Sequence, residues 1–211
     1  MKKAVEMLEF ENEYAKRGYK AICGMDEVGR GPLAGPVVVC AIVMPLDGDK
    51  LIDGVDDSKK LSEKRREALF DKITAAATAL SVVRVEPREI DEINILEATK
   101  KAMKKAVDEI KDKADIVFVD AVKLDLPLST LAIIKGDAKS YNIAAASIVA
   151  KVYRDRLMKE YAEQYPQYDF ASNKGYGTAK HIAALRQYGA TPIHRRSFIG
   201  HFVNEHEKDG D

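Results

Sequence analysis

The sequence predicts an α/β fold in which helices cover the faces of a mixed β-sheet. Two apolar, strand-like runs at about residues 19–26 and 37–44 come first, and helical and strand-like segments then alternate. The run 116–119 is continuously apolar, as expected of a central strand that is buried on both faces. Residues 95–111 carry an apolar stripe at helical spacing with lysines opposite it. Together these patterns predict a sheet with helices packed on it.

The remaining elements follow from start and stop signals along the chain. Ser62, with Glu63 in the first turn, is a good N-cap for a helix that runs to about residue 79. The short β-branched run 80–85 predicts a strand that ends before Pro87. The other predicted elements are a lead helix over residues 3–17, strands over 115–120 and 131–134, a long helix over about 140–165 and a short helix over 179–188.

Composition limits the class of protein. The chain of 211 residues is 46% hydrophobic and 32% charged, which fits one domain, or one domain with a small appendage, and disfavours disorder. The net charge of zero argues against a strongly basic nucleic-acid binder, but residues 139–200 hold ten Lys/Arg against four Asp/Glu. A basic segment beside an acidic site suits an enzyme that acts on phosphodiesters. The alternative is chance clustering on a helical surface.

Cysteine usage and hydropathy indicate the compartment. Cys23 and Cys40 lie in apolar, strand-like runs and are expected to be buried thiols in a reducing environment. The sequence has no Cys/His spacing typical of zinc, no signal-peptide core and no apolar span of about 20 residues. We therefore expect a cytoplasmic protein that does not contact membranes.

The stretch 24–36 brings together two acids, an arginine and several glycines. Asp26 and Glu27 end the first predicted strand, and a glycine-rich loop that contains Arg30 follows at once. Adjacent carboxylates are costly to bury without a partner, and a hard divalent cation is a suitable one. Glycine lets the backbone approach a ligand closely, and arginine suits phosphate. The stretch indicates a metal site beside a phosphate-binding loop, whereas the alternative is a hairpin whose acids only cap a turn.

Two further acids follow strand ends later in the chain. Asp120 ends the central strand, and Asp137 follows the next strand just ahead of the long helix. Since ligands of α/β sheets gather at strand ends, neighbouring strands are expected to bring Asp26 beside Asp120. Taken singly, either acid fits a turn or a helix cap. Together with Asp26 and Glu27 they favour Mg²⁺ or Mn²⁺, and without metal the clustered charges should raise one another's pKa.

The run from Asp26 to Val37 resembles the signature of bacterial ribonuclease HII, a family that nicks RNA embedded in duplex DNA. Segments 57–62, 142–156, 173–178 and 194–198 are also similar to that family, so the resemblance spans about residues 19–199 in order. It implies a ribonuclease-H-like five-stranded mixed sheet flanked by helices, with a small C-terminal helical extension. The implied division is a catalytic domain with its lead helix over 1–165, and a substrate-binding region with an acidic tail over 166–211. Ala121 stands where the family usually has glycine.

The resemblance also implies a reaction. It is two-metal phosphodiester hydrolysis with Mg²⁺ or Mn²⁺, which cuts the RNA strand of RNA–DNA hybrids and nicks 5′ of single ribonucleotides in duplex DNA. The expected ends are a 3′-hydroxyl and a 5′-phosphate. The implied catalytic and metal-binding residues are Asp26, Glu27, Asp120 and Asp137; the implied substrate-binding residues are Gly29, Arg30, Gly31 and Tyr176 for the ribose, with Lys59, Lys60, Arg195 and Arg196 for phosphates.

Two other functions stay open. Ribonuclease HIII shares the four acids but carries an extra N-terminal domain, for which the 18 residues before the first strand are too few. A non-catalytic hybrid-binding module is disfavoured because all four acids are present. His194, beside two arginines, favours a structural role over a catalytic one. We expect a monomer.

Overall fold

The structure, a computed structural model, describes residues 2–120 and 126–203. Within these ranges five strands form one mixed sheet, in the order β3-β2-β1-β4-β5. The central strand β1 pairs antiparallel with β2 and parallel with β4, and β4 pairs parallel with β5. This confirms the predicted α/β class with a mixed five-stranded sheet. The strands are β1 Ile22–Val28, β2 Val37–Val43, β3 Ala79–Val85, β4 Ile116–Asp120 and β5 Ser129–Ile133.

The helices also follow the predicted order, with shifts at their ends. The predicted lead helix is two short helices, and the last predicted helix matches its observed bounds. The segment after Pro166 contains two further four-residue helices that sequence patterns did not indicate. The helices are α1 Lys2–Glu6, α2 Glu9–Lys16, α3 Glu63–Ala76, α4 Pro87–Ile110, α5 Tyr141–Gln164, α6 Phe170–Asn173, α7 Ala179–Tyr188 and α8 Arg196–Ile199.

Helix α4 consists of two segments joined at Asn94. This residue has non-helical dihedral angles, φ 67° and ψ 163°. Its Oδ1 atom accepts hydrogen bonds from the backbone N–H groups of Leu96 (3.0 Å) and Glu97 (3.1 Å), so it acts as the N-cap of the second segment. The predicted helix over 95–111 corresponds to that second segment. The first segment begins at Pro87, where proline is tolerated in a first turn.

The N-terminal end of α5 lies directly on β1. A Cβ atom built on Gly24 would come within 2.1 Å of the carbonyl carbon of Asn142, so no larger residue fits there without moving the helix. Every residue of β2 is buried, and Val38, Cys40 and Ile42 share one core cluster with buried residues of the first turns of α5. This close approach fixes the segment that leads into α5, which contains Asp137.

The chain forms two compact units. The first comprises Met1–Val28, Val38–Val83 and Lys100–Tyr153, and the second comprises Gly29–Val37, Arg84–Thr99 and Arg154–Asp211. The second unit thus contains the glycine-rich loop as well as the C-terminal region; the division at residue 165 stays a prediction. Ala121 and most of the acidic tail, residues 204–211, lie outside the described residues. Among the helices of the described part, none is long and apolar enough to cross a membrane.

Candidate active site

Three of the predicted acids lie at one end of the central strands. Met25 on β1 pairs with Val119 on β4, so Asp26 and Asp120 follow side by side at the same end of the sheet. Asp137 lies in a single 3₁₀ turn, Gly136–Ala138, after β5. The backbone N–H of Gly136 donates to Oδ1 of Asp120 at 3.2 Å, which ties the turn to the end of β4. Strand pairing and this bond together bring the turn with Asp137 to the end of β4.

The charges of these acids act on one another. The pKa of the Asp26 carboxyl is raised well above its usual range, chiefly by burial and also by the negative charges of Glu27 and Asp137. A hydrogen bond from the backbone of Glu27 and the positive charge of Lys59 oppose this shift. Strand β1 runs through Val28, two residues further than predicted, so Glu27 is part of the strand rather than of the loop. The cluster therefore holds more negative charge than its own surroundings compensate.

Lys59 supplies a cation beside this cluster. Its Nζ atom lies 3.2 Å from Oδ2 of Asp137, whose side chain is only 8% exposed, while the lysine side chain is 78% exposed. Burial lowers the pKa of Lys59, but the hydrogen bond and charge of Asp137 outweigh it and raise the pKa overall. The 3₁₀ turn Ser58–Lys60 presents this lysine and is capped by Asp57, which accepts from the Lys59 N–H at 2.9 Å. The ammonium group is thus placed by a fixed turn.

The four acids have the ligand chemistry that a hard divalent cation requires, but their side chains are not arranged around one ion. Within residues 2–120 and 126–203, no group of three or more His, Cys, Asp or Glu side chains is arranged to hold one ion. Asp120 is instead engaged by Gly136 N–H, and Asp137 by Lys59. The donors are carboxylate oxygens only, which Mg²⁺ and Mn²⁺ prefer. A bound cation would also relieve the repulsion that raises the pKa of Asp26.

In the second unit, Arg195 supports the glycine-rich loop from inside. Its side chain is 0% exposed, and its guanidinium donates to the carbonyl oxygens of Gly29 (2.5 Å), Arg30 (2.9 Å) and Gly35 (3.0 and 2.8 Å). Burial, with the charge of Arg154, lowers its pKa to about 9. A buried side chain whose donors are all directed at the loop does not reach a phosphate at the surface. We therefore correct its predicted role from phosphate contact to loop support.

A second buried arginine, which the sequence patterns did not single out, completes this support. Arg154 on α5 donates to the carbonyl oxygens of Pro36 (2.9 Å), Ala34 (3.0 Å) and Lys174 (2.8 Å). Burial lowers its pKa to about 10. Gly29 has a φ of +91°, and a Cβ atom there would lie 2.2 Å from Nε of Arg154, so both backbone conformation and space require glycine.

The other predicted substrate contacts lie at the surface of their own units. Tyr176 is 46% exposed, and its Cε1 atom lies 3.8 Å from the position that a Cβ on Gly31 would take. Arg30, Gly31 and Arg196 are exposed. Lys60 is exposed and lies 3.9 Å from both Asp56 and Asp57.

Two residues in this region illustrate what the sequence patterns missed. Arg154 occupies a buried position of α5 among apolar residues. A long cationic side chain at such a position indicates that it binds groups inside the protein. His181 shares the buried face of α7 with Ala184 and Leu185, three and four residues later, which is the spacing of a core position. His194 is 2% exposed, in keeping with the structural role favoured for it.

Comparisons with known proteins agree on one family. The family model for Ribonuclease HII matches residues 23–201. A protein described as Ribonuclease HII from Acetivibrio thermocellus is 54% identical over 200 residues, which cover 94% of this chain and 77% of that protein. The crystal structure of ribonuclease H2 from Pyrococcus horikoshii OT3 superposes with a TM-score of 0.67 at 32% identity and covers 84% of this chain and 93% of that one. A crystal structure of Bst ribonuclease HIII in complex with Mn²⁺ shares the fold, with a TM-score of 0.66, 15% identity and coverage of 84% and 67%.

Proposed function

The chain belongs to the ribonuclease HII family and cleaves RNA in RNA–DNA hybrids and at ribonucleotides embedded in DNA, and from that premise we propose which of its residues carry the reaction. Asp26, Glu27, Asp120 and Asp137 hold two divalent ions, Mg²⁺ or Mn²⁺. The observation that carries this proposal is the pairing of Met25 with Val119, which sets Asp26 and Asp120 at one end of neighbouring strands. Asp137 follows in a turn that is bonded to Asp120.

Basic side chains of this chain also contribute to the proposed reaction. Ions held by these four acids would supply activation of the attacking water and stabilisation of the leaving 3′ oxygen, and the products would carry 3′-hydroxyl and 5′-phosphate ends. In their absence Lys59 partly neutralises Asp137. Because that lysine side chain is 78% exposed, its ammonium group lies at the surface, and we assign it as a contact for a substrate phosphate. Lys60 and Arg196, both exposed, are the further phosphate contacts.

Recognition of the ribose rests on how Arg195 orients the glycine-rich loop. The carbonyl oxygens of Gly29 and Arg30 point at the buried guanidinium. In a trans peptide the N–H points opposite to the carbonyl, so the N–H groups of Arg30 and Gly31 are directed away from that guanidinium. We assign these two amides to the 2′-hydroxyl and the adjoining phosphate. The exposed ring of Tyr176, beside Gly31, stacks on or hydrogen-bonds the same ribose.

Assembly and location follow from the same residues. All four acids come from one chain, so a monomer suffices for the site. Cys23 and Cys40 are buried thiols without a disulfide, which suits the reducing cytoplasm. The Bst ribonuclease HIII structure is in complex with Mn²⁺. We propose Mn²⁺ or Mg²⁺ for this chain because the donors are all carboxylate oxygens.

The decisive experiment is cleavage of duplex DNA that contains one ribonucleotide, with Mg²⁺, Mn²⁺ or a chelator. Nicking on the 5′ side of the ribonucleotide with either metal, and none with chelator, is the expected result. No nicking with either metal would overturn the proposal for this site. Cleavage only within runs of ribonucleotides would instead favour the specificity expected of ribonuclease HIII.

A further inference from the structure

Two buried histidines face each other in the second compact unit. His181 on α7 is 0% exposed and His194 is 2% exposed, and their Nε2 atoms are 3.0 Å apart. The rings of Tyr168 and Phe170 pack against both imidazoles, with centroid separations of 5.0–6.2 Å. A nitrogen-to-nitrogen hydrogen bond in such a setting requires that one ring donates and the other accepts.

The surroundings of His194 fix which nitrogen carries its proton. The backbone N–H of Thr191 donates to Nδ1 of His194 at 3.0 Å, and a backbone N–H can only donate. The hydroxyl of Thr191 also lies 2.8 Å from the same nitrogen. Nδ1 is therefore the unprotonated nitrogen, and the proton of the neutral ring is on Nε2.

The same reasoning then fixes His181. Since His194 Nε2–H donates across the 3.0 Å contact, Nε2 of His181 accepts, and its proton is on Nδ1. That Nδ1 atom lies 2.8 Å from the carbonyl oxygen of Tyr176, which can only accept. The hydrogen bonds thus run in one direction, from Thr191 through both rings to Tyr176, and all are satisfied only when both histidines are neutral.

We propose that His181 and His194 are positioning residues that hold the backbone of Tyr176, and thereby its ring, for recognition of a ribonucleotide. The carbonyl of Tyr176 is held twice, since Thr178 N–H also donates to it at 2.8 Å. Among residues 2–120 and 126–203, the hydrogen bond from His181 is the one that reaches the Tyr176 carbonyl from outside its own turn. His181 is itself anchored by its contact with His194. The inference rests on the role proposed above for Tyr176.

Burial is the main reason that both rings stay neutral. Burial lowers the pKa of both histidines, and for His194 burial, His181 and Arg196 together lower it to about 3. The charged groups that line the pocket beside His194 are Arg88, Asp91, Glu92 and Arg196, and Tyr168 is the titratable group packed on both rings. Protonation of either ring would set donor against donor, so the chain of bonds holds at neutral pH and is lost only in acid.

A matched pair of variants at position 181 separates positioning from simple packing. His181→Asn places an amide near the position of Nδ1 and can keep the bond to Tyr176, whereas His181→Gln places its amide near Nε2 and keeps only the contact with His194. Loss of one buried hydrogen bond corresponds to about a fivefold effect. We expect KM for a single-ribonucleotide duplex to rise about fivefold in His181→Gln with kcat little changed, and the conservative His181→Asn to rescue most of that loss.

Equal behaviour of the two variants would overturn the inference, whether both match the parent or both lose kcat in step with their folded fraction. Tyr176→Ala shows whether the proposed role of Tyr176 or only the positioning by the histidines is wrong. If Tyr176→Ala incises normally, the proposed role of Tyr176 falls and the positioning inference falls with it. If Tyr176→Ala is impaired while both His181 variants keep the parent KM, the positioning inference alone is overturned.

A measurement that does not depend on activity examines the hydrogen bonds directly. In ¹⁵N-histidine-labelled protein at pH 6, His181 is expected as the neutral Nδ1–H tautomer and His194 as the neutral Nε2–H tautomer. Assignment by the single variants His181→Gln and His194→Gln identifies each ring. An imidazolium signal, or the opposite tautomer at either position, would refute the proposed direction of the hydrogen bonds.

Discussion

Asp26→Asn is expected to stabilise the metal-free protein while it abolishes metal-dependent cleavage. The raised pKa of the Asp26 carboxyl means that folding disfavours its charged form. An amide of the same shape removes that charge from beside Glu27 and Asp137. The variant should therefore resist unfolding better than the parent when a chelator is present, although it has lost a proposed metal ligand.

The size of the effect follows from the neighbouring charges. Two acids repel Asp26 and Lys59 attracts it, which leaves about one unit of like charge. At about 6 Å and an effective dielectric constant of about 20, that repulsion is about 3 kcal/mol. Proton uptake limits the penalty to about 4 kcal/mol at pH 7, since each unit of pKa shift corresponds to about 1.4 kcal/mol. A gain of about 1–3 kcal/mol in a chain of 211 residues raises Tm by roughly 3–10 °C.

Thermal unfolding in chelator and in Mn²⁺ measures this. The parent should gain more from the metal than Asp26→Asn does, by about 2.7 kcal/mol at a metal concentration of 100 times Kd. Asp115→Asn is the matched control, and it should lower the stability of the metal-free protein rather than raise it. Its carboxylate accepts from the N–H groups of Lys20 (2.7 Å) and Ala21 (2.9 Å), and these bonds lower its pKa. If Asp26→Asn is less stable than the parent in chelator, or if both substitutions act in the same direction, the electrostatic argument fails.

Three further outcomes are expected. Arg195→Lys should lower the free energy of unfolding in denaturant by about 2–4 kcal/mol, because one ammonium cannot replace four hydrogen bonds to loop carbonyls, whereas the exposed Arg196→Lys should stay within about 0.5 kcal/mol. Lys59→Gln should bind Mn²⁺ up to about fivefold more tightly in a calorimetric titration, because it removes a competing cation from Asp137; unchanged affinity, or an equal effect of Lys60→Gln, would contradict this. The free energy of unfolding should fall as pH drops from about 6.5 toward 3, by up to about 1.4 kcal/mol per pH unit, because His194 takes up a proton only when unfolded. Denaturant titrations at pH 5 and 7 measure that slope, which should be shallower in His194→Gln.

The arrangement of the sheet and its acids was predictable because it depends on local patterns. The apolar run before Asp120 indicated a central strand, and β4 is indeed buried and paired on both sides. Strand ends in α/β sheets collect ligands, so Asp26 and Asp120 were expected together, and the register of β1 and β4 confirms their adjacency. Ser62 caps α3 as predicted, with its Oγ accepting from Arg65 N–H at 3.4 Å. Local propensity and the order of the elements along the chain were therefore enough to predict most of the fold.

Contacts between distant parts of the chain were not predictable in the same way. Arg195 and Arg196 are neighbours of the same residue type, yet the first is fully buried and the second is exposed. Composition cannot distinguish them, because the difference lies in carbonyl groups about 160 residues earlier in the chain. The break in α4 depends on a single positive φ at Asn94, which no apolar periodicity reveals.

The buried arginines explain why a short glycine-rich loop needs so much of the second unit. A loop whose carbonyl oxygens turn inward leaves them without water, and each must then find a donor or destabilise the fold. Arg154 and Arg195 supply donors to Gly29, Arg30, Ala34, Gly35 and Pro36 from a rigid planar fork, which a lysine cannot match. The same bonds direct the N–H groups that follow Gly29 and Arg30 away from the core. On the proposed role of the loop in ribose recognition, the guanidinium groups decide which backbone atoms face the substrate. Substitutions at these two buried positions should then alter ribose selection although neither side chain contacts the substrate.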